Sequence, residues 1–207
     1  MSLYKNYTTF YTDGSVVGNQ TGCAIFSNNI EVKLKLPDNT SIFSAEMYAI
    51  LKTIKLSRNT NNRNILICCD SLSYLKSLQQ IYNKNSIAIK IYDEIYNMKN
   101  EKKFILLWVS SHTNIRGNEI ADSLAKEALQ SSIDEEYEFI VSDFKSLIRE
   151  SILDEWNKNW HKIPLTNKLR NIKSSVNQWK NIDLLTRNNN NNTTKTRSFF
   201  SIPQLSI

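Results

Sequence analysis

Four acidic residues stand where ordinary structural roles explain them poorly: Asp13 in F-Y-T-D-G-S, Glu46 in S-A-E-M-Y-A-I, Asp70 in I-L-I-C-C-D-S and Asp122 in N-E-I-A-D. Asp13 and Asp70 each close a run that reads as a strand. Glu46 precedes Ile50 by four residues and Ile54 by eight, so on a helix it points with the apolar stripe. Asp122 reads as a first-turn residue of a helix opening near Gly117, where a helix N-terminus favours negative charge. Singly, a cap, a turn or a surface position accounts for each Asp. Jointly, two strand ends, a buried helix position and a helix start can converge at one sheet edge, where α/β ligand clefts form. No Lys or Arg lies immediately beside any of the four. Carboxylates gathered without counter-charge repel, and they raise one another's pKa unless divalent cations neutralise them. Oxygen-only donors suit Mg²⁺ or Mn²⁺. Two such ions about 4 Å apart activate a water and stabilise a departing oxygen in phosphodiester hydrolysis, which makes the set a candidate phosphodiesterase site.

The elements that must carry these acids follow from periodicity. Runs at 5–15, 21–27 and 30–36 are rich in β-branched and aromatic residues, with Gly14, Gly18-Asn19 and Asn28-Asn29 as turn signals. Residues 43–57 switch to helical period, with Phe43, Met47, Ile50, Leu51 and Ile54 on one stripe. The apolar run from Asn64 to Cys69 predicts a buried strand. Ser71 to Tyr82 predicts a helix with Leu72, Leu75 and Leu78 inward, and Ile87, Ile91 and Ile95 mark another. Phe104 to Val109 is a fifth strand, and a helix from Gly117 to Ser131 turns Ala121, Leu124, Ala125 and Ala128 inward. Three strands followed by helices alternating with two strands imply an α/β fold: a mixed five-stranded sheet, three strands antiparallel plus two parallel, flanked by helices. Phe144, Ile148, Ile152 and Trp156 repeat every four residues and predict one more helix, capped by Ser142 or Asp143.

Composition sets the outer bounds. A chain of 207 residues that is 41% apolar buries one ordinary core, with a tail. The expected organisation is a catalytic domain over 1–135, a basic helical extension over 136–187 and an Asn-rich disordered tail over 188–207. The net charge of +6 is uneven: residues 1–153 hold 17 basic and 17 acidic side chains, and 154–207 hold 9 and 3. A basic segment beside a neutral body suits a polyanion, and it equally suits a solvated tail. Cys23, Cys68 and Cys69 lack C-x-x-C spacing and read as reduced core thiols. No apolar stretch approaches the roughly 20 residues that span a bilayer, and the N-terminus lacks the succession of a signal peptide. A soluble, intracellular protein is expected, in nucleus or cytoplasm.

The strongest local signal is W-V-S-S-H-T-N-I-R-G-N-E-I-A-D over residues 108–122: a strand end, a polar loop with His112, then Gly117, Asn118 and Asp122. With T-D-G-S at Asp13, A-E-x-x-A-I at Glu46 and D-S at Asp70, the order resembles type 1 ribonuclease H over roughly residues 5–131. Within that family the S-I-F-S-A-E-M-Y-A-I and D-S-L-S-Y-L-K-S-L segments look like the domain of Jockey-like non-LTR retrotransposon polyproteins. E-W-N-K-N-W, N-K-L-R-N-I-K and Gln178-Trp179 resemble the stretch just downstream of the domain in those polyproteins.

The resemblance implies endonucleolytic hydrolysis of the RNA strand of RNA:DNA hybrids. It assigns Asp13, Glu46, Asp70 and Asp122 to two Mg²⁺ ions, with Mn²⁺ as a substitute, and 5′-phosphate products. His112 would assist proton movement or product release. Asn118 would support the site as a hydrogen-bond donor, Gly14 and Ser15 would approach the RNA strand, and Ser71 would also contact substrate. Recognition of the 2′-OH would separate RNA from DNA. Partners would be a hybrid and no membrane, with a monomeric enzyme. Ser110 and Ser111 stand where the family's loop commonly reads P-G before the His, and Ile42 and Leu72 stand where cellular enzymes carry polar residues. Only Asn83, Lys84 and Asn85 occupy the place of a basic protrusion, which shifts binding toward Lys168, Arg170, Lys173 and Lys180. A silent, transposon-derived binder is the alternative, and exposure of Trp156, Trp160 and Trp179 would favour a docking surface.

Overall fold

The computed structural model describes residues 4–80, 85–111, 113–134, 136, 137, 140–168 and 176, the side chain of Ser142 excepted. Its elements are β1 (Thr8–Val17), β2 (Gln20–Ser27), β3 (Ile30–Leu36), α1 (Ile42–Ser57), β4 (Asn64–Cys69), α2 (Leu72–Leu78), α3 (Ser86–Asn97), β5 (Lys103–Trp108), α4 (Arg116–Ala128) and α5 (Val141–Lys162). The strands form one sheet in the order β3-β2-β1-β4-β5. β1 to β2 and β2 to β3 are antiparallel, and β1 to β4 and β4 to β5 are parallel. This is the mixed five-stranded α/β sheet that the order of periodicities predicts.

Alternation along the strands separates two layers. Phe10, Ile65 and Ile67 join Ile50 and Ile54 of α1 and Ile91 of α3 in the main core. Tyr11, Leu66 and Cys68 face the other way, toward Ile105 and Val109. Every residue of β4 after Asn64 is buried, because the strand lies between two parallel neighbours with both faces covered. On the second face α4 closes tightly on β2: a Cβ at Gly22 would lie 2.9 Å from that of Ala128, so the small residues set the approach. Gly18 takes φ +62° in the two-residue connection from Val17 to Gln20, a conformation that glycine adopts without a steric penalty.

α1 starts at Ser41, whose side chain accepts from the Ser44 backbone N–H. The same corner is held from far along the chain. Asp143 Oδ1 accepts from Ser41 Oγ at 2.8 Å and Ser44 Oγ at 3.0 Å, and its Oδ2 accepts from Tyr137 Oη at 3.3 Å. Asp134 accepts from Tyr48 Oη and pairs with Lys52, so the stretch after α4 ties down two places on α1.

Several expectations need correction. β1 runs to Val17, so Asp13 lies inside it rather than at its end. α2 stops at Leu78, short of Tyr82, and turns Tyr74 inward with Leu75 and Leu78 while Leu72 is half-buried. Tyr82, Asn83 and Lys84 lie outside the described residues. α5 begins at Val141, so Ser142 and Asp143 belong to its first turn instead of capping it, and the Asp143 carboxylate is committed to the α1 corner. The four-residue repeat of Phe144, Ile148, Ile152 and Trp156 is helical but exposed, at 48, 54, 56 and 61%. The same spacing of four is buried in α3 at Ile87, Ile91 and Ile95, so helical period predicts the helix while burial depends on what packs against its face. Packing groups Met1–Phe144 as one unit, and Lys145 begins a second. Arg170, Lys173, Trp179, Lys180 and the 188–207 tail lie outside the described residues. Among the described residues no helix is long and apolar enough to cross a membrane.

Candidate active site

The site forms where the sheet changes partners. β1 pairs with β4 only as far as Thr12 against Cys69, yet continues against β2 with Asp13 opposite Ala24. Asp13 therefore occupies the first position of β1 without a β4 neighbour, and Asp70 is the first residue beyond β4. Two acids reach the same sheet edge because one strand of the parallel pair has ended. Glu46 arrives from the second turn of α1, and it is only 4% exposed. Asp13, Glu46 and Asp70 each offer a carboxylate oxygen within 4.8 Å of the others.

Close backbone contacts set these positions. A Cβ at Gly14 would come within 3.1 Å of Glu46 Cγ and of Ile42 Cδ1, so glycine lets α1 settle on β1 beside Asp13. The Gly14 N–H donates to Asp13 Oδ1 at 2.8 Å. The main chain at Asp70 is held by β5, because the indole N–H of Trp108 donates to the Asp70 carbonyl at 2.9 Å. Asn118 Nδ2 donates to Asp70 Oδ2 at 3.4 Å, a long contact. Gly117 explains how Asn118 gets there: a Cβ on it would lie 2.2 Å from the Tyr11 ring, so the first turn of α4 presses directly on β1.

The electrostatics of the cluster are strained. Burial first, and then the Asp70 charge, push the Asp13 carboxyl up to about 6 from an ordinary value of 3.8, and hydrogen bonds from Glu46 and Gly14 oppose the rise. Burial and then the Asp13 charge hold Glu46 well above the usual carboxylate range. Glu46 Oε2 is buried without a hydrogen-bond donor, and Asn118 Oδ1 is buried without a donor too. With both acids ionised, Glu46 Oε2 has nothing to balance it. Both shifts favour the neutral forms, so a proton or a cation taken up by the cluster relieves the pair.

One cleft of about 260 Å³ is lined by Asp13, Gly14, Ile42, Glu46, Asp70, Ser111, Asn118, Glu119 and Asp122. Of the residues that the sequence nominates, it gathers Asp13, Gly14, Glu46, Asp70, Asn118 and Asp122. Ser15 is buried in β1 and Ser71 faces Ser73 Oγ, and neither lines the cleft. His112 lies outside the described residues. Asp122 sits in the second turn of α4 rather than the first, where the acid is Glu119. Asp122 also has a cation that sequence adjacency hides: Lys126 Nζ lies 2.7 Å from its Oδ2, one helical turn on. Glu119 and Ser111 went unnominated in the sequence. The helical phase of Glu119, three residues before Asp122, is the signal that would have found it.

A hard divalent ion fits the residues present. Among the described residues the charged side chains lining the cleft are all carboxylates, and the buried, unpartnered Glu46 Oε2 is an oxygen acceptor that a cation would satisfy.

Comparison with known proteins finds a matching family and solved structures similar in fold. The RNase H family model matches residues 5–130. Among solved structures, an RNase H1 from the halophilic archaeon Halobacterium salinarum is 21% identical, with a TM-score of 0.48, and the match covers 61% of this chain and 99% of that one. LC11-RNase H1, isolated from compost by a metagenomic approach, is 20% identical with a TM-score of 0.50, over 60% of this chain and 96% of that one. No match is found among curated proteins.

Proposed function

Because the chain belongs to the RNase H family, we propose that it hydrolyses the RNA strand of RNA:DNA hybrids endonucleolytically, with two Mg²⁺ or Mn²⁺ ions in the carboxylate cleft and 5′-phosphate products. The observation that carries this reading is the approach of Asp13, Glu46 and Asp70 to within 4.8 Å around the undonated Glu46 Oε2. Isolated acids serving as caps or turns would not be brought together in this way.

Asp13, Glu46, Asp70 and Asp122 would hold the ions. When bound, the ions supply activation of the attacking water and stabilisation of the departing 3′ oxygen. The remaining tasks belong to the chain. Asn118 orients Asp70 through Nδ2 and leaves Oδ1 as an acceptor without a donor, which a ribose 2′-OH would suit. Gly14 lines the cleft and would let the substrate strand approach the backbone there, whereas Ser15 and Ser71 stand off the cleft. His112, one residue beyond Ser111 of the cleft, would accept and return a proton during product departure. The proposed arrangement is a catalytic domain over 1–135, a basic extension over 136–187 that adds affinity for the polyanion, and a tail over 188–207. A monomer acting in nucleus or cytoplasm, and kinship with Jockey-like retrotransposon domains, complete the reading on the strength of the quoted motifs.

Substrate discrimination tests it. Full-length protein with Mg²⁺ should cut an internally matched RNA:DNA hybrid within its RNA strand, leave single-stranded RNA and double-stranded DNA intact, and give fragments that a 5′-phosphate-dependent exonuclease degrades. Equal cutting of single-stranded RNA, or fragments carrying 5′-hydroxyls, would refute the proposal. Hybrid binding without cleavage would favour the silent binder.

A further inference from the structure

Among the described residues five acids line the cleft, and three of them, Asp13, Glu46 and Asp70, lie close together with no basic side chain among them, whereas Asp122 already has one. Asp122 Oδ2 is held by Lys126 Nζ at 2.7 Å, one turn along α4. Asp122 is also absent from the set of carboxylates whose oxygens lie within 4.8 Å of one another, although it lines the same cleft. The Lys126 side chain is 61% exposed and that of Asp122 is 35% exposed, so the pair sits at the cleft's solvent side.

We infer that Lys126 is a positioning residue that occupies Asp122 until a second divalent ion displaces it, so the cleft fills in two unequal steps. This rests on the metal-dependent reading given above. The first ion meets Asp13, Glu46 and Asp70, which are already gathered and have no basic side chain to displace. The second ion needs Asp122, and there it meets an ammonium that takes a carboxylate oxygen and repels divalent charge. An exposed pair at i,i+4 is weak and salt-sensitive, so an incoming ion can open it. Lys126 thereby separates the two affinities without blocking the second site.

The expected effect is modest. Loss of the weak pair, together with removal of one nearby positive charge in a largely aqueous setting, changes second-ion affinity by roughly three- to tenfold. Lys126→Arg keeps both the charge and a reach to Asp122, and Lys126→Gln removes the charge at similar length.

The test is Mn²⁺ binding to the substrate-free full chain, monitored by paramagnetic resonance and by calorimetry. Wild type and Lys126→Arg should bind one ion tightly and a second more weakly. Lys126→Gln should leave the tight step unchanged and tighten the weak one roughly three- to tenfold. Asp122→Asn should lose the weak step, and adding Lys126→Gln to it should change nothing further. An unchanged weak step in Lys126→Gln, or an equal shift in both steps, would overturn the inference while leaving the metal site standing. Absence of any Mn²⁺ binding to the wild type would overturn the metal-dependent reading and this inference with it.

Discussion

Replacing Asp13 by Asn should abolish catalysis and make the metal-free protein more stable at neutral pH. The wild-type carboxyl is pushed from 3.8 to about 6 in the fold, which corresponds to about 3 kcal/mol favouring its neutral form. An acid whose folded pKa is raised binds more protons folded than unfolded between the two values. Stability therefore falls as pH rises from about 4 to about 6, and above 6 the whole penalty is present. Asn removes that penalty while its Oδ1 still accepts the Gly14 N–H. Glu46, held high partly by the Asp13 charge, relaxes as well. Local relaxation in the wild type returns part of the strain, so the expected gain at pH 7 is about 1–3 kcal/mol, seen as a rise in Tm of several degrees. The assay is thermal and urea unfolding with a chelator present, at pH 7 and again near pH 4, where the folded Asp13 is largely neutral and most of the difference should vanish. Millimolar Mg²⁺ should stabilise wild type more than the variant, since only wild type keeps the full donor set. A variant that is no more stable at pH 7, or one whose gain does not depend on pH, would refute the reasoning.

Other perturbations act through the same contacts. Gly117→Ala would drive a methyl into the Tyr11 ring, with an expected cost of about 1–3 kcal/mol in urea unfolding. Because α4 carries Asn118 and Asp122, its kcat should fall more than its KM rises. Asp143→Ala would leave the hydroxyls of Ser41, Ser44 and Tyr137 without their shared acceptor, and unfolding should register a loss of about 2–4 kcal/mol. A chain cut after residue 130 should be similarly weakened, since the lock on α1 lies beyond it. Asn118→Ala should lower metal affinity and activity by about 10–100-fold with little change in Tm, as measured by calorimetry and initial rates.

What the sequence made legible is what local periodicity encodes. The β-branched and aromatic runs over 5–15, 21–27 and 30–36, the stripe of Met47, Ile50 and Ile54 and the uninterrupted run before Asp70 predict the sheet and its flanking helices, and Glu46 stands out because a carboxylate shares that buried stripe. Pairing between distant segments was not legible. Asp13 reads as a strand end because a single strand does not reveal that one partner stops at Cys69 while the other continues. Lys126 is four residues from Asp122 and adjacent only once the helix winds. Asp143 reads as a cap because Ser41 and Ser44, its real partners, lie about a hundred positions earlier. The exposed row from Phe144 to Trp156 shows the same limit from the other side: a helical period says that a helix forms, and burial depends on what meets it.

The most direct test of the central claim is cleavage of an end-labelled RNA:DNA hybrid by wild type and by Asp70→Asn, each with Mg²⁺ and with a chelator. The account predicts internal RNA cuts by wild type with Mg²⁺ alone, and loss of cleavage by the folded variant with hybrid binding retained. Cleavage that persists in the chelator, or in Asp70→Asn at the wild-type rate, would contradict it.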